Sequence, residues 1–154
     1  MTTLVLVLAT ISMGLAAGLF YTFQVAVMRG LAHTDDRTFV DAMRWINVKI
    51  LNFWFALSFG FALPLTIVAA ILLIGEGAAL AWTVAAAVLY FAVIVVTGAR
   101  NVPMNNALVA AAERNEDPRA ARQAFEKPWV RWNLARTWLS LAAFACLVIA
   151  TTNA

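Results

Sequence analysis

Two short segments hold side chains that could act together on a ligand. One reads Asn101-Val-Pro-Met-Asn105-Asn106, and the other reads Trp129-Val-Arg-Trp132-Asn133-Leu-Ala-Arg136. On a helix Trp129, Trp132, Asn133 and Arg136 fall at i, i+3, i+4 and i+7 and form one stripe. That stripe sets a flat aromatic wall beside amide and guanidinium donors, a combination suited to holding an anionic ligand. Asn101 and Asn105, four apart around Pro103, share a helical face if the helix continues through the proline, and would add two amides. Asn47 and Asn52 lie at the mouth of another apolar run. Five residues separate them, so their side chains diverge by about 140° and at most one, taken as Asn47, need join the cluster. A plainer reading competes: these amides and Arg136 only satisfy helix ends and snorkel to water, with the tryptophans forming an aromatic belt.

Composition says which elements carry these residues. Of the 154 residues 64% are hydrophobic and 12% charged, with a mean hydropathy of +0.84. A soluble domain carries about a quarter charged residues. Apolar runs cover roughly residues 4–28, 50–74, 78–98 and 134–151, each near the ~20 residues needed to cross ~30 Å of hydrocarbon. Lipid offers no partner for backbone polar groups, and no run alternates like a barrel strand. The expected fold is therefore all-α, a single-domain transmembrane four-helix bundle over residues 1–154. The first run has no basic residue before it and exceeds a signal-peptide core, so it is kept as a span.

All eleven Lys and Arg residues fall between Arg29 and Lys49 or between Arg100 and Arg136. The excess of positive charge places both loops in the cytoplasm, and the termini and the Gly75-Glu76-Gly77 turn outside, in a multi-pass plasma-membrane protein. The net charge of +3 then records topology and contact with the lipid bilayer, not binding to nucleic acid.

The rare residue types exclude several functions. Cys146 is the single cysteine and His33 the single histidine, which removes disulfides, CxxC redox pairs, thiolate clusters and bis-histidine haem within one protomer. No metal site and no bound cofactor are expected. Apart from Arg136 at the entry of the fourth run, no acidic or basic residue lies within the apolar runs. A proton-coupled exporter, which needs a titratable group at membrane depth, is thereby disfavoured.

Packing signals are of ordinary kinds. Gly14 and Gly18 form a GxxxG pair that lets another helix approach, first within the bundle and secondarily as a face for a homo-oligomer. Pro64 should kink the second span. Tyr21, Trp54, Trp82 and Tyr90 are candidate interfacial aromatics. Both basic segments read as helical extensions. In the first, Thr38-x-x-Asp41 matches a capping box, and Phe39, Met43, Ile46 and Ile50 recur at helical spacing into the second span. In the second, Asp117-Pro118 offers an N-cap and a first-turn proline, followed by Ala121, Phe125, Trp129 and Trp132, with Pro128 marking a bend. Together these segments could cover a vestibule above the bundle.

Asn47 with Asn52, the stretch TGARNVPMNNAL from Thr97 to Leu108, and WVRWNLARTWLS from Trp129 to Ser140 resemble the anthrone oxygenase-like family of small membrane proteins. The resemblance implies a four-helix membrane bundle whose fungal relatives oxidise polyketide anthrones to anthraquinones with molecular oxygen. That chemistry needs no redox cofactor in principle, because an anthrone anion reduces oxygen directly. It would assign ring stacking to Trp129 and Trp132, and oxyanion stabilisation to Arg136, Asn101, Asn105 and Asn133. The general base stays open among His33, Glu113, Glu126 and Asp41. The leading expectation is a membrane protein that oxidises or binds a hydrophobic cyclic small molecule at the cytoplasmic mouth of its bundle. The alternative is a non-catalytic module that binds a lipid or quinone-like ligand, or an accessory subunit.

Overall fold

A computed structural model describes residues 1–154. It contains five helices and no strand: α1 (Thr2–Leu31), α2 (Asp36–Lys49), α3 (Phe53–Leu72), α4 (Gly77–Glu113) and α5 (Pro118–Thr152). Four of them, α1, α3, α4 and α5, are long and apolar enough to cross a membrane. The chain is a multi-pass membrane protein with the expected all-α four-helix bundle. Around the bundle, α1 packs on α3 and α5, and α4 packs on the same two.

Small residues make this packing possible. Lipid is as apolar as a leucine side chain, so helices associate through close van der Waals contact rather than escape from water. Ala9, Ala16, Ala62, Ala69, Ala79, Ala86, Ala143 and Ala150 are fully buried in the bundle core, interleaved with Leu6, Met13 and Leu147. The hydroxyls of buried Thr66 and Thr83 donate to the carbonyls of Ala62 and Ala79 one turn back. A Cβ at Gly14 would stand 2.9 Å from the Phe144 ring of α5, whereas one at Gly18 meets nothing within 4 Å. Half of the glycine pair is thus engaged inside the chain.

α4 and α5 have 37 and 35 residues, about 55 and 52 Å of helix against ~30 Å of hydrocarbon. Both project well beyond the bundle at the basic end. There α2 lies against them, and Met28, Phe39, Val40, Met43, Leu108, Phe125 and Trp129 close a second, smaller core. Arg122 fastens the α1–α2 loop to α5. It donates to the carbonyls of Thr34 at 2.9 Å and Ala32 at 3.1 Å, pairs with Asp36 at 3.1 Å and Glu126 at 2.7 Å, and lies 4.6 Å from the centre of the Phe39 ring.

Several local expectations need correction. α2 is capped not by a Thr38/Asp41 box but by Asp35, which accepts from the Thr38 N–H at 3.0 Å and its hydroxyl at 2.5 Å. The extended Asp35 backbone lets the helix start one residue later, with Thr38 as an early donor. α2 does not run into α3: the chain leaves the helix over 50–52, and Asn52 caps the restart by accepting from the Phe55 N–H at 3.1 Å. Tyr90 is fully buried instead of interfacial, and its hydroxyl donates to the Phe59 carbonyl at 3.0 Å. α5 continues as one helix through Pro128, behind the expected Asp117 cap and Pro118 start. Asn115, at φ 53°, ends α4, and the Glu116 N–H closes on the Ala111 carbonyl, a left-handed stop that asparagine tolerates.

Candidate functional site

Three helices widen at the same level, where the bundle meets its extension. Backbone N–H groups of Met28, Phe61 and Val102 reach five residues back, to the carbonyls of Phe23, Ala56 and Thr97. Each such π turn inserts a residue and re-aims the side chains around it. In α3 and α4 the wide turn stands just before Pro64 and Pro103. A proline cannot donate and crowds the carbonyl four residues back, so a wider turn relieves it. No comparable cause is present in α1.

Between these turns lies a cavity of about 620 Å³. α1 supplies Phe20 and Phe23, the α2–α3 elbow Asn47, Ile50 and Leu51, and α3 Phe55 and Phe59. α4 contributes Thr97, Val102, Asn105 and, at the far end, Glu113; α5 contributes Trp129, Asn133 and Arg136. The walls are mostly apolar, with polar groups clustered where α4 and α5 cross the bundle boundary.

Arg136 is the centre of that cluster. It is 5% exposed, and its guanidinium lies 4.4 Å from the centre of the Phe20 ring and 5.4 Å from that of Trp129. One terminal nitrogen donates to the Asn133 side-chain oxygen at 3.0 Å and the other to the Thr97 hydroxyl at 3.5 Å. Its Nε has no partner, and none of the chain's ion pairs includes it. A buried cation with neutral neighbours alone is costly unless something anionic joins it.

The neighbours hold that geometry. The Asn133 amide nitrogen donates to the Phe20 carbonyl and to Gln24 Oε1, each at 3.1 Å, which turns its oxygen toward Arg136. Trp129 donates through Nε1 to Asn105 Oδ1 at 2.8 Å and is wedged between Phe23 and Phe125 at 5.6 and 5.8 Å. Asn47 reaches the wall with its buried amide nitrogen unpartnered.

Five of the seven residues singled out from the sequence thus share one cavity, and two do not. Trp132 lies outside it, exposed, with the Arg100 guanidinium 5.1 Å from its ring. Trp129, Asn133 and Arg136 span about 60° of the helix, while Trp132 sits about 100° from Asn133 on the other flank. Asn101 is fully buried with both amide atoms unpartnered, yet is not on the wall. It stands between Thr97 and Asn105 on the face of α4 that meets α5.

Gln24, Thr97 and the four lining phenylalanines escaped the sequence reading. Gln24 had a signal, as the one amide in the first apolar run; the phenylalanines had none among so many apolar residues. Of the four candidate bases only Glu113 lines the cavity, with its carboxylate exposed and 4.0 Å from Arg44. The His33 Nδ1 donates to the Arg29 carbonyl at the surface and Glu126 is paired with Arg122. No three His, Cys, Asp or Glu side chains gather in a way that could hold a metal ion.

Fold and cavity together define a small helical-bundle membrane protein with a polar-ended chamber at its basic end. The family model for anthrone oxygenase matches residues 51–146, and the chain belongs to that family. The matched stretch carries Thr97, Asn105, Trp129, Asn133 and Arg136, while α1 and α2, which bring Phe20, Gln24 and Asn47, precede it. No curated protein and no solved structure matches the chain.

Proposed function

We propose that the cavity binds a flat, weakly acidic aromatic molecule of the anthrone type and promotes its oxidation by molecular oxygen. The observation that carries this reading is Arg136: a buried guanidinium without a carboxylate, facing an aromatic-walled chamber. Trp129, Phe20 and Phe23 supply ring surfaces. Arg136 lowers the ligand's pKa by favouring its anion, and Asn133 holds the guanidinium in place. Asn105 fixes the Trp129 plane, and Asn47 offers a free N–H to a second ligand oxygen.

The chemistry balances without a further reagent. The ring carbon opposite the ketone loses a proton to water, and the resulting anion forms a carbon–oxygen bond with dioxygen and takes a proton back to give a hydroperoxide. Loss of water from that peroxide breaks the O–O bond and leaves the second carbonyl, so anthrone and oxygen become anthraquinone and water. The orientation that serves this site puts the basic loops in the cytoplasm of a plasma-membrane protein and both termini outside. A C-terminal reporter found in the cytoplasm would reverse it.

A non-catalytic role, as a module that holds a quinone-like ligand or lipid, is favoured by one observation. Glu113, the only wall carboxylate, stands sixteen residues along α4 from Thr97, about 24 Å of helix, and cannot touch a ring held at Arg136. Oxygen uptake by purified protein supplied with anthrone separates the two. Uptake above a buffer control that falls in Arg136→Ala and Asn105→Ala supports the oxygenase. Uptake no greater than the control, with both variants like the parent, overturns it.

A further inference from the structure

We infer that the cavity fills sideways, through a portal between α3 and α4 that faces the leaflet at the basic end, so that its ligand is a membrane-dissolved weak acid. This rests on the reading of the cavity as a ligand site.

Three of the four sides of the bundle are tied at the level of the cavity. α1 meets α3 where Phe20 stands edge-on to Phe59 at 6.0 Å. α1 meets α5 through the Asn133 hydrogen bonds to Phe20 and Gln24, and α4 meets α5 through Thr97 and Arg136 and through Asn105 and Trp129. The fourth side differs. α3 and α4 pack together in their halves away from the basic end, and the Tyr90 hydroxyl on the Phe59 carbonyl is the side-chain hydrogen bond that joins them. Beyond it, toward the basic end, 53–60 and the part of α4 from Thr97 onward make no comparable contact. Val102 and Leu51 border this gap, lining the cavity while staying 41% and 77% exposed.

The surroundings of the gap suit lipid better than water. Phe53 and Trp54, at the start of α3, are among the most exposed large apolar residues of the chain. Just above, Trp45 lies between Arg44 and Lys49, whose charged ends are 5.4 and 5.8 Å from its ring. An indole flanked by cations is the composition of a headgroup-level anchor, and the basic groups attract anions to the same depth. A neutral acid can therefore reach the gap from the hydrocarbon, pass Val102 and Leu51, and ionise only on meeting Arg136. A molecule that is charged in water must first cross the apolar rim.

Exchange kinetics in phosphatidylcholine vesicles test this, with 1-hydroxypyrene as an apolar phenolic probe and its trisulfonated analogue confined to water. The parent should bind the first and not the second, at a rate that follows probe per lipid rather than free probe. Val102→Trp and Leu51→Trp, both at exposed positions that tolerate bulk, should slow association and dissociation alike by about tenfold. If the parent binds hydroxypyrene but both variants exchange as fast as it does, or if the trisulfonate binds equally, the portal is wrong and the site stands. If the parent fails to bind hydroxypyrene, or Arg136→Gln binds it undiminished, the site itself falls and the portal with it.

Discussion

Through the bundle core, α1, α3, α4 and α5 meet across alanines and a glycine, and the threonine hydroxyls there bond within their own helices. At the basic end α4, α5 and α2 meet across Phe39, Met43, Phe125 and Trp129, and polar side chains bond between helices. The first region has no spare room because lipid gives helices no reason to associate except close contact. The second belongs to the lengths of α4 and α5 that exceed ~30 Å of hydrocarbon, where larger apolar surfaces pack together, and the chamber lies where the two regions meet. Close packing and a ligand cavity thus occupy different depths of the same helices.

Arg136 should separate the two regions most. Arg136→Met should cost about a hundredfold or more in affinity for an anthrone-type phenol, the loss of a charge-assisted contact of ~3 kcal/mol. Thermal unfolding should show it at least as stable as the parent, since it removes an uncompensated buried charge. A variant that lost stability in proportion to binding would make Arg136 structural.

Overpacking should divide the two regions next. Ala86→Leu in the tight core is expected to destabilise by about 1–3 kcal/mol. Ala110→Leu, pointing into the chamber, should leave the unfolding midpoint close to the parent while weakening ligand binding. Equal losses in both would mean that the chamber is not free space.

Arg122→Ala should loosen the extension by about 2 kcal/mol, read as faster hydrogen exchange in α2 with protection in α3 retained. Gly14→Ala should lower stability by about 1 kcal/mol, because its Cβ meets Phe144, while Gly18→Ala should be neutral or slightly stabilising through helix propensity. Smallest is an effect of pH. The Thr38 hydroxyl and N–H hold Asp35 below the usual carboxylate range, so the cap is intact above that range and lost as pH falls through the lowered value. Circular dichroism should show α2 fraying only in acid, and Asp35→Asn should flatten that response.

Much of the fold was legible because apolar length is a local property. Four runs of about the right size forced four spans, and Asp117-Pro118 announced the start of α5. The cap of α2 is ambiguous in the sequence because Asp35-x-x-Thr38 and Thr38-x-x-Asp41 have the same spacing, so either Asp35 or Thr38 could cap, and only the extended backbone of Asp35 selects it. In the site, Trp129, Asn133 and Arg136 were legible because helical spacing puts them on one face. Trp132 was misjudged because a stripe about 100° wide has two flanks, and the sequence does not say which one turns inward.

Hydropathy and charge act residue by residue, so four membrane crossings and the gathering of polar chemistry at the basic end are already written in the chain. That Arg136 faces Phe20 and Thr97 without a carboxylate, that Asn101 is sealed behind the wall, and that α3 and α4 part above Tyr90 are results of long-range packing. Those outcomes depend on π turns and on contacts between residues as far as 113 positions apart, and no local pattern in a chain encodes which distant partners a helix will meet.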